Sequence, residues 1–500
     1  MHAFVENLNF PTSIALDDAD TVYIAESGLP FGGAPHGGSV SRIGADGSKT
    51  VLLAGLRAPV NGLTFHQGSL IISEGGHPGR ISRLDLASGA HSVILDHLPG
   101  FGNYHTNMAL VGPDGKLYFS QGAMTNSGVI GADSNDLAWL KKIQHNYDLP
   151  GYDITLAGFT ATTPALDGAA GDTVHTGAFT SWGTVLPEGT AVAACLPCTS
   201  AVMRCGIDGS DLELVAWGVR NAYGLCFLDD GRLIATDQGA DARGVRPISE
   251  CPDFLYQIEA GGWYGWPDYY GGTPVTDARF RAPDGSLPGF VLRDHASLPP
   301  PRRALLDFAV NACAVKMAQV PAHFPSHQGE LVVAQFGDER PMTGPPGRTA
   351  GRNLVRVSPS DWSLHDLPAL PLSRPLDIVF CAHSATAYVV DFGHFEFRLD
   401  KSISATAASG RVWQLPANFM EGPPMPTVSF EHDIAPLFRQ FRASMMWRMD
   451  LTRYEDVKLN AKAIQKNIAV NGGMPPPPFP RLTDEQIALF DAWIKADYPA

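Results

Sequence analysis

No apolar run in this chain approaches the roughly 20 residues that a membrane-spanning helix needs. The opening MHAFVENLNF also lacks the basic start and apolar stretch of a secretory leader, so the expected location is the cytoplasm, with no membrane attachment. Basic residues are scarce: 36 Lys and Arg stand against 51 Asp and Glu, a formal charge of -15. No basic stripe is left to offset phosphate repulsion, which argues against nucleic acid and for a small-molecule substrate. Seven cysteines form an odd set without a disulfide framework. Cys226, Cys313 and Cys381 fall inside apolar runs and read as small buried hydrophobes. In CLPCTSAVMRC, Cys195, Cys198 and Cys205 lie close together, yet no nearby His supplies the fourth ligand of a zinc site. Metal binding, a local disulfide and free thiols all stay open there.

What the chain does contain is repetition. Six phrases share one form: FPTSIALDD (10 to 18), PVNGLTFHQG (59 to 68), HTNMALVGPDG (105 to 115), RNAYGLCFLDDG (220 to 231), VNACAVKM (310 to 317) and RPLDIVFCAHS (374 to 384). Each is followed by an apolar strand that closes on an acid or amide: Glu26, Glu74, Gln121, Asp237, Gln335 and Asp391. A third strand with a basic or polar centre comes next. Period-two alternation with DG turns signals β structure, and repeated units that cannot bury both faces alone must stack in a ring. The expected fold is an all-β six-bladed β-propeller over residues 1-416, followed by a small α-helical domain. FVENL near the start is read as the strand that completes the last blade.

Two long spacings, about 124-199 and 261-307, mark insertions of the kind that form lids or substrate walls. SNDLAWLKKI in the first reads as a short helix. After GRVWQLP, residues 417-429 are a Pro-rich linker, and 430-500 read as helical. Thr452 with Glu455, and Thr483 with Gln486, have capping-box spacing.

In a propeller the first strands surround a central channel, so polar residues at their starts converge. Those starts supply Thr12, Ser13, Asn61, His105, Asn107, Arg220, Asn221, Asn311, Arg374 and Asp377. His105 is the candidate general base, because imidazole titrates near neutrality. Arg220 and Arg374 offer fixed positive charge to a carboxylate or oxyanion, with pairing to Asp377 or Asp237 as the structural alternative. The asparagines and Asp377 offer hydrogen bonds to substrate or oxygen ligands to Ca²⁺.

GVRNAYGLCF, GRLIATDQGAD and GGWYGWPDYYGG, in that order, resemble the soluble quinoprotein glucose/sorbosone dehydrogenases, and HTNMALVGPDGKLYFSQG is similar to the segment carrying that family's catalytic His. The resemblance implies a sugar or alcohol dehydrogenase using pyrroloquinoline quinone (PQQ) with Ca²⁺. It would have His105 take the proton of the substrate hydroxyl and Arg220 and Asn221 hold the quinone and oxyanion, with Arg374 on the cofactor; the strand-start reading adds Asp377 as a catalytic candidate. It would also put Ca²⁺ on the Gly239 and Ala240 carbonyls, while the converging strand starts put Asn61, Asn107, Tyr223 and Asn311 along the substrate channel. The chain departs from the family pattern in having Val60 where a Gln is expected, Gly337 where a cofactor-binding Lys is expected, and one Arg, Arg374, of a pair. A non-redox hydrolase, lyase or cyclase, or a non-catalytic binding propeller, fits the same fold.

The tail resembles a small cytochrome c-like domain, through DIAPLFR, the Met474-Pro turn and LTDEQIALFDAWI. Covalent haem requires C-x-x-C-H, and FRQFRASMMW has neither the Cys pair nor the His, so no haem is expected. Met474 reads as a packing residue and the segment as a candidate packing or dimerisation surface, which leaves a homodimer open.

Overall fold

The computed structural model describes the chain except residues 101, 136–139, 141–142, 144–145, 167–168, 170, 283, 346–348, 422–428, 446–448, 469–473, 476–478, 480, 497 and 500. The helix read in SNDLAWLKKI and most of the 417-429 linker lie outside the described residues. The chain divides into two compact units, Met1–Phe419 and Met420–Ala500.

The first unit is a ring of six antiparallel blades. Blades one and two run in simple order, Pro11–Leu16, Val22–Glu26, Gly38–Ile43 and Lys49–Leu56, then Val60–His66, Ser69–Glu74, Gly79–Asp85 and His91–Leu98. The first strands of blades three to six are Thr106–Val111, Ala222–Phe227, Ala314–Gln319 and Pro375–Phe380. In blade six the outermost strand is His2–Leu8, paired antiparallel with Gly410–Leu415. The two ends of the repeat region are thereby stitched into one sheet, as FVENL suggested. Apolar side chains fill the seams, for example Ile14, Ile24, Val390 and Val412 between blades six and one. Burial of such side chains is the main term holding the ring together.

Two repeated devices follow from the motif. In the four blades whose second strand closes on an acid, that acid accepts backbone N–H groups at the entry to its own blade: Glu26 from Asn9 at 2.7 Å, Glu74 from Arg57 at 2.7 Å, and Asp391 from Ser373 and Arg374 at 2.9 Å each. Asp237 does the same for Arg220 and Asn221. The acids therefore belong to the fold, because an unpaired buried N–H is costly. The second device is a bulge: in all six blades the register between first and second strands slips just after the first pair, as at Pro11/Ser13, Val60/Gly62 and Pro375/Asp377. A bulge re-aims the side chains on either side of it.

The insertions add to the outside of the blades. Residues 124–199 contribute the hairpin Thr160–Pro164 with Thr173–Gly177. From the second insertion, Gly262–Trp263 joins blade three as a parallel fifth strand beside Glu213–Trp217.

The second unit packs the helices Tyr454–Ile468 and Asp484–Lys495 with shorter turns over Phe430–Met445 around Phe430, Phe438, Phe490 and Trp493. The Thr483 box forms: Gln486 N–H donates to Thr483 Oγ1 at 3.3 Å and Thr483 N–H to Gln486 Oε1 at 3.0 Å. Thr452 instead donates its hydroxyl to Asp450 at 2.7 Å, so the Thr452–Glu455 box expected from spacing gives way to an aspartate turn. Thr483→Ala should cost this unit about 1 kcal/mol, read as a lower melting midpoint by circular dichroism at 222 nm. Met474 borders an apolar cavity of about 300 Å³ with Phe438, Phe441, Met445 and Phe479.

Candidate functional site

A cavity of about 220 Å³ lies where the first strands converge, and Asn61, His105, Asn107, Asn221 and Tyr223 line it. His105 stands one residue before the first strand of blade three. Its Nδ1 lies 2.6 Å from the Gly100 carbonyl, and a carbonyl only accepts, so Nδ1 carries the proton and Nε2 keeps the free lone pair. Burial lowers the His105 pKa, outweighing the opposite pull of that hydrogen bond, so the ring is a neutral base at physiological pH. Gly100 must be glycine, because a Cβ there would fall 1.9 Å from the Gly76 carbonyl oxygen.

The amides form a directed chain. Asn107 Nδ2 donates to Asn221 Oδ1 at 2.8 Å, Asn221 Nδ2 to Gln238 Oε1 at 2.7 Å, and Gln238 Nε2 approaches Cys313 Sγ at 2.8 Å. Asn61 Nδ2 donates to the Thr106 carbonyl at 2.9 Å. Burial raises the pKa values of Tyr104, Tyr223 and Cys313, so phenols and thiol stay protonated and the wall is neutral and hydrogen-bonding.

The expected cationic and acidic members of the site are elsewhere. Arg220 is fully buried and all five of its donors are spent: Nε on the Asn126 carbonyl, Nη1 on the carbonyls of Gly239 and Gln238, Nη2 on Asn126 Oδ1 and Asp241 Oδ2. It stacks behind Tyr104, 4.7 Å from the ring centroid, and never reaches the cavity. Arg374 is likewise fully buried, bonded to the carbonyls of Gly337, Asp338 and Phe395 and to Glu396. Asp377 accepts from Ser13 Oγ at 2.8 Å, Ile14 N–H at 3.1 Å and Lys316 Nζ at 3.2 Å. It is a partner for a buried lysine rather than a catalytic group. Lys316, whose pKa burial lowers, also donates to the Thr12 carbonyl at 2.8 Å. Its charge inside the apolar phrase VNACAVKM was the signal that could have located this pair.

Asn311 borders a smaller adjoining space of about 30 Å³ with Gly239, Ala240, Asp241 and Asp253, not the central cavity. The Gly239 carbonyl already accepts from Arg220 at 2.5 Å, so a Ca²⁺ bound there would stand against a guanidinium. Among the described residues no group of three or more His, Cys, Asp or Glu is arranged to hold a metal, and Cys195, Cys198 and Cys205 are free thiols. Among the described residues the insertions expected to wall the site contribute nothing to its lining, which includes no residue of 124–199 or 261–307. Loops after the second strands close the cavity instead, through Phe31, Gln238, Phe336, Glu339, Phe392 and Phe395.

Glu339 was not visible as a site residue in the sequence, since it sits in the loop DERPM with no repeat counterpart. Burial pushes its pKa up to about 7, with Arg374 pulling the other way.

The propeller shares the fold of PQQ-dependent soluble sugar dehydrogenases. The PQQ-bound aldose sugar dehydrogenase of Streptomyces coelicolor superposes with a TM-score of 0.50 at 14% identity, covering 83% of this chain and 96% of that one. The PQQ domain of pyranose dehydrogenase from Coprinopsis cinerea gives a TM-score of 0.50 at 13% identity, covering 83% and 94%. No protein-family profile and no curated protein matches the chain. The residues present do not fit PQQ, a tricarboxylate. No Lys or Arg is among the described residues lining the cavity, Arg220 and Arg374 are bound up in backbone carbonyls, and the one carboxyl on the wall, Glu339, would repel the cofactor.

Proposed function

We propose that this protein is an enzyme acting on a small, non-anionic hydroxylated molecule in the central cavity, with His105 as general base. The observation that carries this reading is the His105 ring, fixed through Nδ1 to Gly100 and kept neutral by burial on the wall of the cavity. Nε2 takes the proton of a substrate hydroxyl, while the phenols of Tyr104 and Tyr223 donate to neighbouring oxygens and the amide chain fixes orientation. The alkoxide so formed can attack an electrophile within the same molecule, or collapse to a carbonyl as its C–O bond to a leaving group breaks, and in either case the departing oxygen or nitrogen takes the proton back from His105 Nε2. These are the non-redox chemistries open to a site without a quinone.

Alcohol oxidation of the sugar-dehydrogenase type is the second reading, favoured by the fold shared with two PQQ enzymes. Adding PQQ and Ca²⁺ to the purified chain separates the two. The acid–base reading expects no saturable quinone binding and turnover without an acceptor dye; stoichiometric quinone binding with dye reduction would establish the second. Under either reading kcat at saturating substrate rises with pH along a limb centred below about 6.5, the ordinary imidazole value, because the free base forms only above the lowered pKa of His105. A limb of kcat centred above that value both in the wild type and in Glu339→Gln, which lacks the carboxyl raised to about 7, would remove His105 as the base.

A further inference from the structure

Glu339 is a carboxylate on the wall of the central cavity to which no described residue donates a hydrogen bond. Its neighbours are committed elsewhere. Arg374 is held by backbone carbonyls and Glu396, and Arg243 donates to Asp241 at 2.9 Å and Asp133 at 2.7 Å. Asp253 accepts from the N–H groups of Gly239 and Ala314. Behind the wall, every buried cation has its own acid: Arg220 with Asp241, Arg374 with Glu396, Lys316 with Asp377. Among the described residues Glu339 is the carboxyl on the cavity wall with neither an ion pair nor a hydrogen bond, whereas Asp237 and Asp253, which also lack a salt bridge, accept backbone N–H groups. Around it the cavity is walled by aromatic rings, among them Phe31, Tyr104, Tyr223, Phe336 and Phe395. Ring faces attract cations, and a half-buried carboxylate is stabilised by one.

We infer that the ligand of this cavity is a small organic cation, an ammonium or quaternary ammonium compound that sits against the aromatic wall with Glu339 as its counter-ion. The inference deepens the reading of His105 as base by specifying the substrate class: a hydroxylated amine, whose hydroxyl meets His105 while its charged nitrogen meets Glu339. It depends on that reading only for the hydroxyl.

The test is calorimetric titration of the full chain at pH 8, where Glu339 is ionised, with three compounds of one shape and different charge. These are choline, its uncharged isostere 3,3-dimethylbutan-1-ol, and the anion 3,3-dimethylbutanoate. Choline should bind at least about tenfold more tightly than the alcohol, and the anion most weakly. In Glu339→Gln, choline and the alcohol should come within about twofold of each other. Equal affinities in the wild type, no binding of any of the three, or an undiminished preference in the variant would overturn the inference. If the variant does not fold, the wild-type ranking decides alone. His105→Ala should keep the ranking: lost turnover with the ranking intact concerns the base, whereas His105-dependent turnover of uncharged compounds without the ranking removes the cation and leaves the base.

Discussion

Arg220→Ala should destabilise the propeller by about 3–5 kcal/mol, the range for removing one partner of a buried, hydrogen-bonded ion pair. The guanidinium joins blades three and four by bonding Asn126 on one side and Gly239 and Asp241 on the other. Without it, several buried carbonyl oxygens lose their donor and Asp241 keeps only Arg243. Each orphaned acceptor bears its full desolvation penalty. Arg220→Lys should recover little of the loss, since a single ammonium cannot span five acceptors. Urea unfolding followed by the fluorescence of the neighbouring buried Trp217 and Trp266 measures the effect. A shift below about 1 kcal/mol, an ordinary hydrogen bond, combined with lost turnover, would return Arg220 to the role of substrate ligand.

His105→Ala should show the opposite profile. Loss of a positioned general base typically lowers kcat by about 10²–10⁴-fold, and the acid limb of the pH profile should vanish with it. Stability should change little, because the side chain makes one hydrogen bond, to Gly100, and stands at the edge of a cavity. His105→Gln retains a donor for the Gly100 carbonyl but has no basic nitrogen, so it should keep the melting midpoint of the wild type and the rate of His105→Ala. A rate for Gln near that of the wild type would make His105 a positioning residue only.

These paired expectations reflect how the residue roles separated. Arg220 and His105 both stand at the entry to a first strand, two residues before Ala222 and one before Thr106 respectively, and from the sequence both belong to one converging ring. His105 faces the cavity, while Arg220 turns outward into a cage of carbonyls. The bulge at every first-strand entry shifts the register there, so counting alternate residues does not say which side chain points inward. Arg374 was misjudged for the same reason. Asp377 was misjudged because its partner Lys316 is 61 residues away, and Glu339 was missed because loop residues have no periodicity to read.

Local sequence was enough to establish the ring. Alternation of period two, DG turns and six recurrences of one phrase specify blades, and the strand at His2–Leu8 finds its place because the sixth blade's own segment supplies three of its four strands. It was also enough to put His105, Asn61, Asn107 and Asn221 at the axis, since strand entries converge wherever blades are arranged radially. Only the tertiary structure decided which charges are spent within the fold and which remain for a ligand. Pairing of a buried charge is settled by whatever acceptors other blades bring within about 3 Å, and those acceptors lie as far as 94 residues away along the chain for Arg220. The position of the Glu339 carboxyl on the cavity wall, without an ion pair among the described residues, is therefore a property of the assembled ring and of no segment in it.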